Sequence, residues 1–197
     1  MAIGRNALYF EDYVLSIQYF NQVINAKPYL SDPYFYRGLA KINLDDFQGA
    51  ESDCSEAIER NPFVVSAYQV RGLARIQQNN FAGAIEDYTK ALEFDPENIG
   101  VWHNMALCRI RQEDYKGAKN DLDKLIAISP RYTKAYLMRG EVDLKQKDTL
   151  AAEKDFGKAI EIDRYDADIW ASRAILRLQQ QRYKDAEADF DHAIRLS

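Results

Sequence analysis

Residues 67–98, AYQVRGLARIQQNNFAGAIEDYTKALEFDPEN, decide the fold, because this stretch returns along the chain at a fixed period. A helix-length segment rich in apolar residues ends at Asn79-Asn80, and a second such segment follows it. Asp95-Pro96 ends the second segment, because proline lacks an N–H donor and clashes with the preceding helical turn. The stretch therefore predicts two helices, over residues 67–78 and 81–94, joined by a short turn.

The period is 34 residues and runs through the whole sequence without insertion or deletion. Rows of equivalent residues are formed by prolines (Pro28, Pro62, Pro96, Pro130), aromatic residues (Tyr34, Tyr68, Trp102, Tyr136, Trp170), small residues (Gly38, Gly72, Ala106, Gly140, Ala174) and alanines (Ala50, Ala84, Ala118, Ala152, Ala186). Small side chains allow close approach of two helices, and aromatic side chains fill the space beside them. The pattern predicts helical hairpins that bury their apolar faces by stacking on one another.

Tyr34-x-x-Arg37-Gly38, followed by Phe47 and then by Ala50, Ala57 and Pro62, resembles the tetratricopeptide repeat (TPR). Arginine stands where that family usually has leucine, and this variant is similar to bacterial versions of the repeat, as in Bacteroidetes TPR proteins. The resemblance implies an all-α fold: a right-handed superhelical solenoid of about six helix-turn-helix hairpins, with a concave groove lined by the first (A) helix of each hairpin.

The predicted domain is a single TPR solenoid over residues 1–197. Its six repeats are approximately 1–30, 31–64, 65–98, 99–132, 133–166 and 167–197. The first repeat starts inside its A helix, and no polar capping helix follows the last second (B) helix. Because solenoids usually cap such faces, we expect a fragment of a longer protein, with possible self-association through the uncapped ends.

The composition limits the classes of partner and the cellular locations that we expect. Lys and Arg total 26 against 31 Asp and Glu, a net charge of −5, so a nucleic-acid partner is not expected. No apolar run approaches the length of a membrane span, and no signal peptide is visible. Composition favours a cytoplasmic location, whereas the resemblance favours a periplasmic or exported protein whose signal peptide is absent from this fragment.

Catalytic motifs are missing from the sequence. The glycines form neither a phosphate-binding P-loop nor a dinucleotide-binding motif. His103 and His192 belong to different repeats, and His103 and Cys108 are five residues apart, on different faces of a helix. Cys54 stands where other repeats have a large aromatic residue and is interpreted as a small core residue. We therefore predict no enzyme activity, no cofactor and no metal site.

Charged residues also recur at the repeat period. An acidic row lies on the B helices (Asp53, Asp87, Asp121, Asp155, Asp189), a first cationic row on the A helices (Arg37, Arg71, Arg139, Arg173), and a second cationic row one turn later (Lys41, Arg75, Arg109, Arg177). The rows could form a carboxylate array for acid–base or metal chemistry. Ion pairs between neighbouring helices are favoured, because paired carboxylates are poor general acids. Met105 replaces the first-row arginine in the fourth repeat, and we predict that Arg109 pairs with Asp121 instead.

The leading hypothesis is a scaffold that binds a peptide or protein segment in the concave groove. The resemblance implies that the partner-binding residues are Phe35, Tyr36, Leu39, Asn43, Gln69, Val70, Leu73, Gln77, His103, Asn104, Leu107, Arg111, Met138 and Glu141. Leu39, Leu73 and Leu107 would form an apolar floor. The alternatives are a structural spacer or self-assembly region of a larger, possibly exported, protein, and an RNA-binding helical repeat, which the acidic balance disfavours.

Overall fold

The computed structural model describes residues 1–196, which form twelve α-helices and no β-strand. The helices are α1 (Ala2–Tyr9), α2 (Tyr13–Ala26), α3 (Asp32–Ile42), α4 (Phe47–Arg60), α5 (Val65–Gln77), α6 (Phe81–Phe94), α7 (Ile99–Arg111), α8 (Tyr115–Ile128), α9 (Thr133–Lys145), α10 (Thr149–Ile162), α11 (Ala167–Gln179) and α12 (Tyr183–Leu196). Odd-numbered helices are the predicted A helices and even-numbered helices the B helices. The all-α fold class is confirmed.

Packing divides the chain into an N-terminal part, Met1–Val101, and a C-terminal part that starts at Trp102. In the N-terminal part α1 packs on α2, α3 on α4 and α5 on α6, while α2 with α3 and α4 with α5 join successive hairpins. In the C-terminal part α9 packs on α10 and α11 on α12, and the pairs α8 with α9 and α10 with α11 join hairpins. The single domain predicted over residues 1–197 stays a prediction.

The turn between A and B helices has the same geometry in every repeat. One residue adopts a left-handed backbone with φ between 60° and 64°, and it is never a glycine: Glu11, Asp45, Asn79, Glu113, Lys147 and Gln181. The following residue caps the B helix: the side chain of Asp12, Asp46, Asn80, Asp114 or Asp148 accepts a hydrogen bond from a backbone N–H three residues later. Such caps satisfy N–H groups that have no partner within the helix. In the sixth repeat Arg182 stands at this position.

The B-to-A boundary explains why the proline and aromatic rows share one period. Tyr34 donates a hydrogen bond to the carbonyl of Pro28 at 3.2 Å, and Tyr136 donates to the carbonyl of Pro130 at 3.0 Å. Trp170 reproduces the bond with its indole N–H and the carbonyl of Arg164, at 2.9 Å. In these three repeats an aromatic side chain with a polar end thus connects the A helix to the loop before it.

Close helix packing explains the small rows. A Cβ atom added to Gly72 would lie 2.7 Å from the Tyr88 ring, and one added to Gly140 would lie 2.6 Å from the Phe156 ring. Ala50, Ala84, Ala118 and Ala152 are fully buried. Cys54 occupies the position of Tyr88 and Phe156 and is fully buried, as predicted, in a core with Ile24, Tyr34 and Ala57.

Candidate functional site

The acidic row is buried and paired within each repeat. Arg37 Nε lies 2.8 Å from Asp53, and the corresponding Nε distances are 3.0 Å for Arg71 and Asp87, 2.7 Å for Arg139 and Asp155, and 2.8 Å for Arg173 and Asp189. The second cationic row adds Lys41 at 2.9 Å, Arg75 at 3.0 Å and Arg177 at 2.8 Å from the same carboxylates. The predicted ladder of ion pairs is therefore present, and it accounts for both cationic rows.

The first-row arginines also reach the preceding B helix. Arg37 donates to Asn21 at 2.6 Å, Arg71 to Ser55 at 3.1 Å, and Arg139 to Asp123 at 2.6 Å. These three arginines thus bridge the acid 16 residues after them and an acceptor 16 residues before them, whereas Arg173 has Gly157 at the earlier position. The rows fix the register between successive hairpins and carry no exposed acid–base pair.

The fourth repeat departs from this ladder as predicted. Arg109 Nε lies 2.7 Å from Asp121 Oδ2, in ion-pair contact, although neither atom has a hydrogen bond of good geometry within the described residues. Arg109 also contacts the capping residue Asp114, at 2.9 Å. Burial raises the pKa of Asp121 to about 6, against the opposing effect of Arg109.

Nucleophiles and metal ligands are poorly placed for chemistry. Burial raises the pKa of the Cys54 thiol to about 12 and that of Cys108 to about 11, which disfavours the reactive thiolates. Burial, helped by Lys134, lowers the pKa of His103, whose Nδ1 lies 3.3 Å from the Tyr132 hydroxyl. Within residues 1–196, no group of three or more His, Cys, Asp or Glu side chains is arranged to hold a metal ion.

Five of the predicted groove residues of the N-terminal part lie on the A helices with partial or full exposure. Leu73 and Gln77 are exposed on α5, and Gln69 is half-buried. Asn43, directly after α3, donates a hydrogen bond to the carbonyl of Leu39. The Leu39 side chain is half-buried and packs against the core that contains Cys54. These side chains are open to a partner to differing degrees.

Three other predicted groove residues of this part serve the core. Val70 is only 7% exposed and packs in the cluster that contains Ile24 and Cys54, so its side chain is not open to a partner, contrary to its place in the predicted groove. Phe35 is half-buried against the same cluster. Tyr36 stacks on Phe20 with ring centroids 5.6 Å apart. Sequence spacing places these residues on the correct helices but does not show how deeply neighbouring helices cover them.

The C-terminal part presents the other predicted residues. His103, Asn104, Leu107 and Met138 are half-buried, while Arg111 and Glu141 are exposed. Met138 packs against a core that includes Leu122. The exposed pair, at the end of α7 and in α9, is thus the most accessible of this set.

A cleft of about 410 Å³ lies beside these residues in the C-terminal part. It is lined by Ile110 of α7, Tyr115 of α8, Gln179 of α11, and Glu141, Val142, Leu144 and Lys145 of α9. Glu141 is exposed overall, yet desolvation raises the pKa of its carboxyl, against the opposing effect of Lys145. Its volume, and its lining of apolar residues with a few polar groups, fall within the range found for ligand pockets. Tyr115 is the fourth repeat's equivalent of Phe47, a position that belongs to the shared repeat pattern, so the sequence did not indicate that this side chain lines a cleft.

Comparisons with known proteins identify the repeats. A family model described as TPR repeat matches residues 72–108, and one described as tetratricopeptide repeat matches residues 99–132 and 133–166. These matches confirm that the chain contains tetratricopeptide repeats, and the last two coincide with the predicted bounds of repeats four and five. No curated protein matches the sequence significantly.

Several solved structures share the fold at low sequence identity. The C-terminal part of a TPR repeat-containing protein from Cytophaga hutchinsonii is similar with a TM-score of 0.87 and 16% identity, over 99% of this chain and 78% of that one. MamA from Desulfovibrio magneticus RS-1 is similar with a TM-score of 0.79 and 17% identity, over 83% and 92%. YrrB, described as a TPR protein with an unusual peptide-binding site, has a TM-score of 0.74 and 18% identity, over 90% and 92%.

Among residues 1–196, every helix is too short or too polar to cross a bilayer.

Proposed function

We propose that the tetratricopeptide repeats of this chain form a non-enzymatic scaffold whose A-helix face binds a peptide or protein segment. The family is associated with protein binding, and the peptide-binding site described for YrrB belongs to a protein of the same fold. Positions that build the frame recur at every repeat, whereas Gln69, His103 and Arg111 differ from their equivalents. Variation on a constant frame is expected of residues that recognise a ligand.

The cleft of the C-terminal part carries this proposal. Ile110, Tyr115 and Leu144 supply an apolar floor for a partner side chain, and Glu141 and Gln179 supply hydrogen-bonding groups at its border. Apolar anchors in a pocket bordered by polar groups are the usual basis of affinity at protein interfaces. The remaining predicted contacts in this part are His103, Asn104, Leu107, Arg111 and Met138.

In the N-terminal part we propose that Leu39, Asn43, Gln69, Leu73 and Gln77 contact the partner, with Phe35 and Tyr36 as partly covered aromatic contacts. Val70 is left out because it is buried. Two further hypotheses rest on the sequence resemblance alone: that the repeats are the bacterial Tyr-x-x-Arg-Gly variant, and that the protein is periplasmic or exported.

A capture experiment tests the site. The immobilised chain is incubated with the soluble proteins of its source cells, and bound proteins are identified and then measured singly. Arg111→Ala and Glu141→Arg should each weaken a specific partner by about 2 kcal/mol, near thirtyfold in affinity. Lys124→Ala, an exposed change on helix α8, is the control. A partner that binds both groove variants as tightly as the parent would place the site elsewhere.

Self-association is a second candidate function, favoured by exposed apolar side chains on α1 and after it. Tyr9 and Phe10 are 81% and 77% exposed, and Ile3 and Val14 are also exposed. Clustered exposed apolar groups often mark interaction sites. Light scattering over a concentration series should then show a dimer or larger species that Phe10→Ser disrupts. A monomer at every concentration would contradict this candidate and leave the groove proposal intact.

A further inference from the structure

Two clefts on the B-helix side occupy the same position in repeats three and five. The first, about 650 Å³, borders Tyr68, and the second, about 500 Å³, borders Tyr136. In each, the guanidinium carbon of the first-row arginine lies 5.7 Å from the centre of the tyrosine ring. Each also has an ion pair at its edge: Lys90 with Glu93 at 2.9 Å, and the equivalent pair of repeat five at 2.8 Å. Neither cleft includes residues of the proposed groove.

In repeats two and six, the chain's own side chains cover the equivalent ring. The guanidinium carbon of Arg60 lies 4.1 Å from the centre of the Tyr34 ring. Arg60 also donates to the Tyr34 hydroxyl at 3.1 Å and to the carbonyl of Pro28 at 2.6 Å. In repeat six the His192 ring stacks on Trp170 at 4.4 Å. This aromatic position therefore accepts a planar, nitrogen-rich side chain.

Repeat three has the ring but lacks the covering arginine. Phe94 stands at the position of Arg60, and its side chain has no group that could donate to the Tyr68 hydroxyl. Phe94 is 45% exposed and meets Phe63 edge to face at 6.1 Å. Tyr68 borders the cleft of repeat three with a small part of its surface, because the residue as a whole is 8% exposed, against 7% for Tyr34 beneath Arg60.

We propose that the cleft of repeat three binds an arginine side chain of a protein partner, whose guanidinium stacks on Tyr68 as Arg60 stacks on Tyr34. The lining holds three carboxylates, of Glu86, Asp87 and Glu93, and two cations, of Arg71 and Lys90. Asp87 is already paired with Arg71 and Arg75, and Glu93 with Lys90, so the available negative charge is the exposed carboxylate of Glu86. This carboxylate favours a cation, and ring faces attract guanidinium groups. Ile58 and Ile85 offer an apolar wall for the aliphatic stem of the arginine.

Repeat five supplies an internal control. Lys154 stands at the position of Glu86, so this lining holds three cations, of Arg139, Lys154 and Lys158, against the carboxylates of Glu153, Asp155 and Glu161. Glu153 is already bound by Arg182 at 2.7 Å. The cleft of repeat five should therefore take arginine more weakly than that of repeat three.

The probe is a capped tripeptide, acetyl-Gly-Arg-Gly-amide, titrated into the ¹⁵N-labelled chain while amide shifts are recorded. Shifts should be confined to α4, α5 and α6 around Tyr68 and should saturate at roughly millimolar peptide, as expected for a single cation–π contact. The citrulline peptide, which keeps the planar group but lacks the charge, should bind about fivefold more weakly. A norleucine peptide tests for a merely apolar pocket.

Three variants sharpen the test. Phe94→Arg should supply the internal guanidinium found in repeat two and abolish the shifts, and Glu86→Lys should weaken binding several-fold. Lys154→Glu should create a second set of shifts around Tyr136. Equal binding of the norleucine peptide, shifts centred on the A-helix face, unchanged binding by Phe94→Arg, or no saturable shift would overturn the proposal.

Discussion

Arg109 Nε lies 2.7 Å from Asp121 Oδ2 and stands in for a first-row arginine that the fourth repeat lacks. In the third repeat Asp87 receives both Arg71 and Arg75, whereas Met105 occupies the first-row position beside Asp121. One cation therefore serves a carboxylate whose side chain is 7% exposed. Burial then outweighs the ion pair, and the pKa of Asp121 rises to about 6.

Protonation of Asp121 should stabilise the fold as the pH falls toward 5. The folded pKa of about 6 exceeds the ordinary value of 3.8, so the folded state binds the proton more tightly than the unfolded state. The ionised carboxylate thus destabilises the fold above the folded pKa, by on the order of 3 kcal/mol, and this cost disappears as the pH falls from about 7 to about 4. Urea unfolding measured over this range checks the effect.

Asp121→Asn isolates this contribution. Other carboxylates oppose the trend, because arginine hydrogen bonds lower the pKa values of Glu51 and Glu153 despite their partial burial. Both proteins contain these groups, so the difference between their pH–stability curves reports Asp121 alone. Parallel curves for the parent and Asp121→Asn would show that Asp121 titrates normally.

Met105→Arg should restore the ion pair between a first-row arginine and Asp121 that the fourth repeat lacks. The four first-row arginines occupy the same position in their A helices with side chains 16–21% exposed, so a guanidinium at residue 105 can reach both Asp121 and water. We expect a lower pKa for Asp121 and a gain of about 1 kcal/mol at pH 8, since hydrogen bonds to charged groups stabilise. The gain should shrink near pH 5. Met105→Leu, measured beside it, should reproduce neither change.

The repeat period predicts the helices, turns and ion pairs because these depend on residues that every hairpin shares. Arg71 and Asp87 have equivalents at the same spacing in other repeats. Their contact follows from the packing of an A helix on the B helix of the same hairpin. The contact between Arg109 and Asp121 is also predictable from the period, because the second cationic row supplies the nearest positive charge where the first row has Met105. Local rules of capping and helix termination act through the same few residues in each unit.

The candidate site is less predictable, because it depends on what differs between repeats. Val70 and Leu73 both lie on the predicted face of α5, yet one is buried and the other exposed. That difference depends on side chains of the preceding repeat, such as Cys54 on α4, which belongs to the same core cluster as Val70. Tyr36 is among the predicted groove residues, yet it stacks on Phe20, so its truncation would also affect stability.

Ala84→Leu should destabilise the third repeat by about 1–3 kcal/mol through overpacking. Ala84 has no exposed surface, and Gly72 beside it on α5 already leaves no room for a Cβ against Tyr88. Ala82→Leu is the matched control, because residue 82 lies on the same helix with an exposed side chain. Chemical unfolding should therefore separate the two variants. Equal stability would mean that the alanine row does not mark a close helix interface.

An ion pair of reversed polarity joins repeats four and five. Glu51 binds Arg75 at 2.8 Å and Glu153 binds Arg177 at 3.1 Å, each from a B helix to the next A helix, 24 residues on. Lys119 and Asp143 make the equivalent contact with the charges exchanged. Lys119→Glu should cost about 3 kcal/mol, because it places a carboxylate against Asp143, which is 1% exposed.

Adding Asp143→Arg to Lys119→Glu tests whether the loss of stability comes only from the repulsion between two like charges. The double variant has the Glu–Arg order of the other two contacts, and its arginine would also lie near Asp155, as Arg75 lies near Asp87. It should recover to within about 1 kcal/mol of the parent, a coupling typical of residues in direct contact. Lys124→Glu, an exposed change on the same helix as Lys119, should have little effect. If the losses of the two single variants simply add in the double variant, the contact does not set the pairing of these repeats.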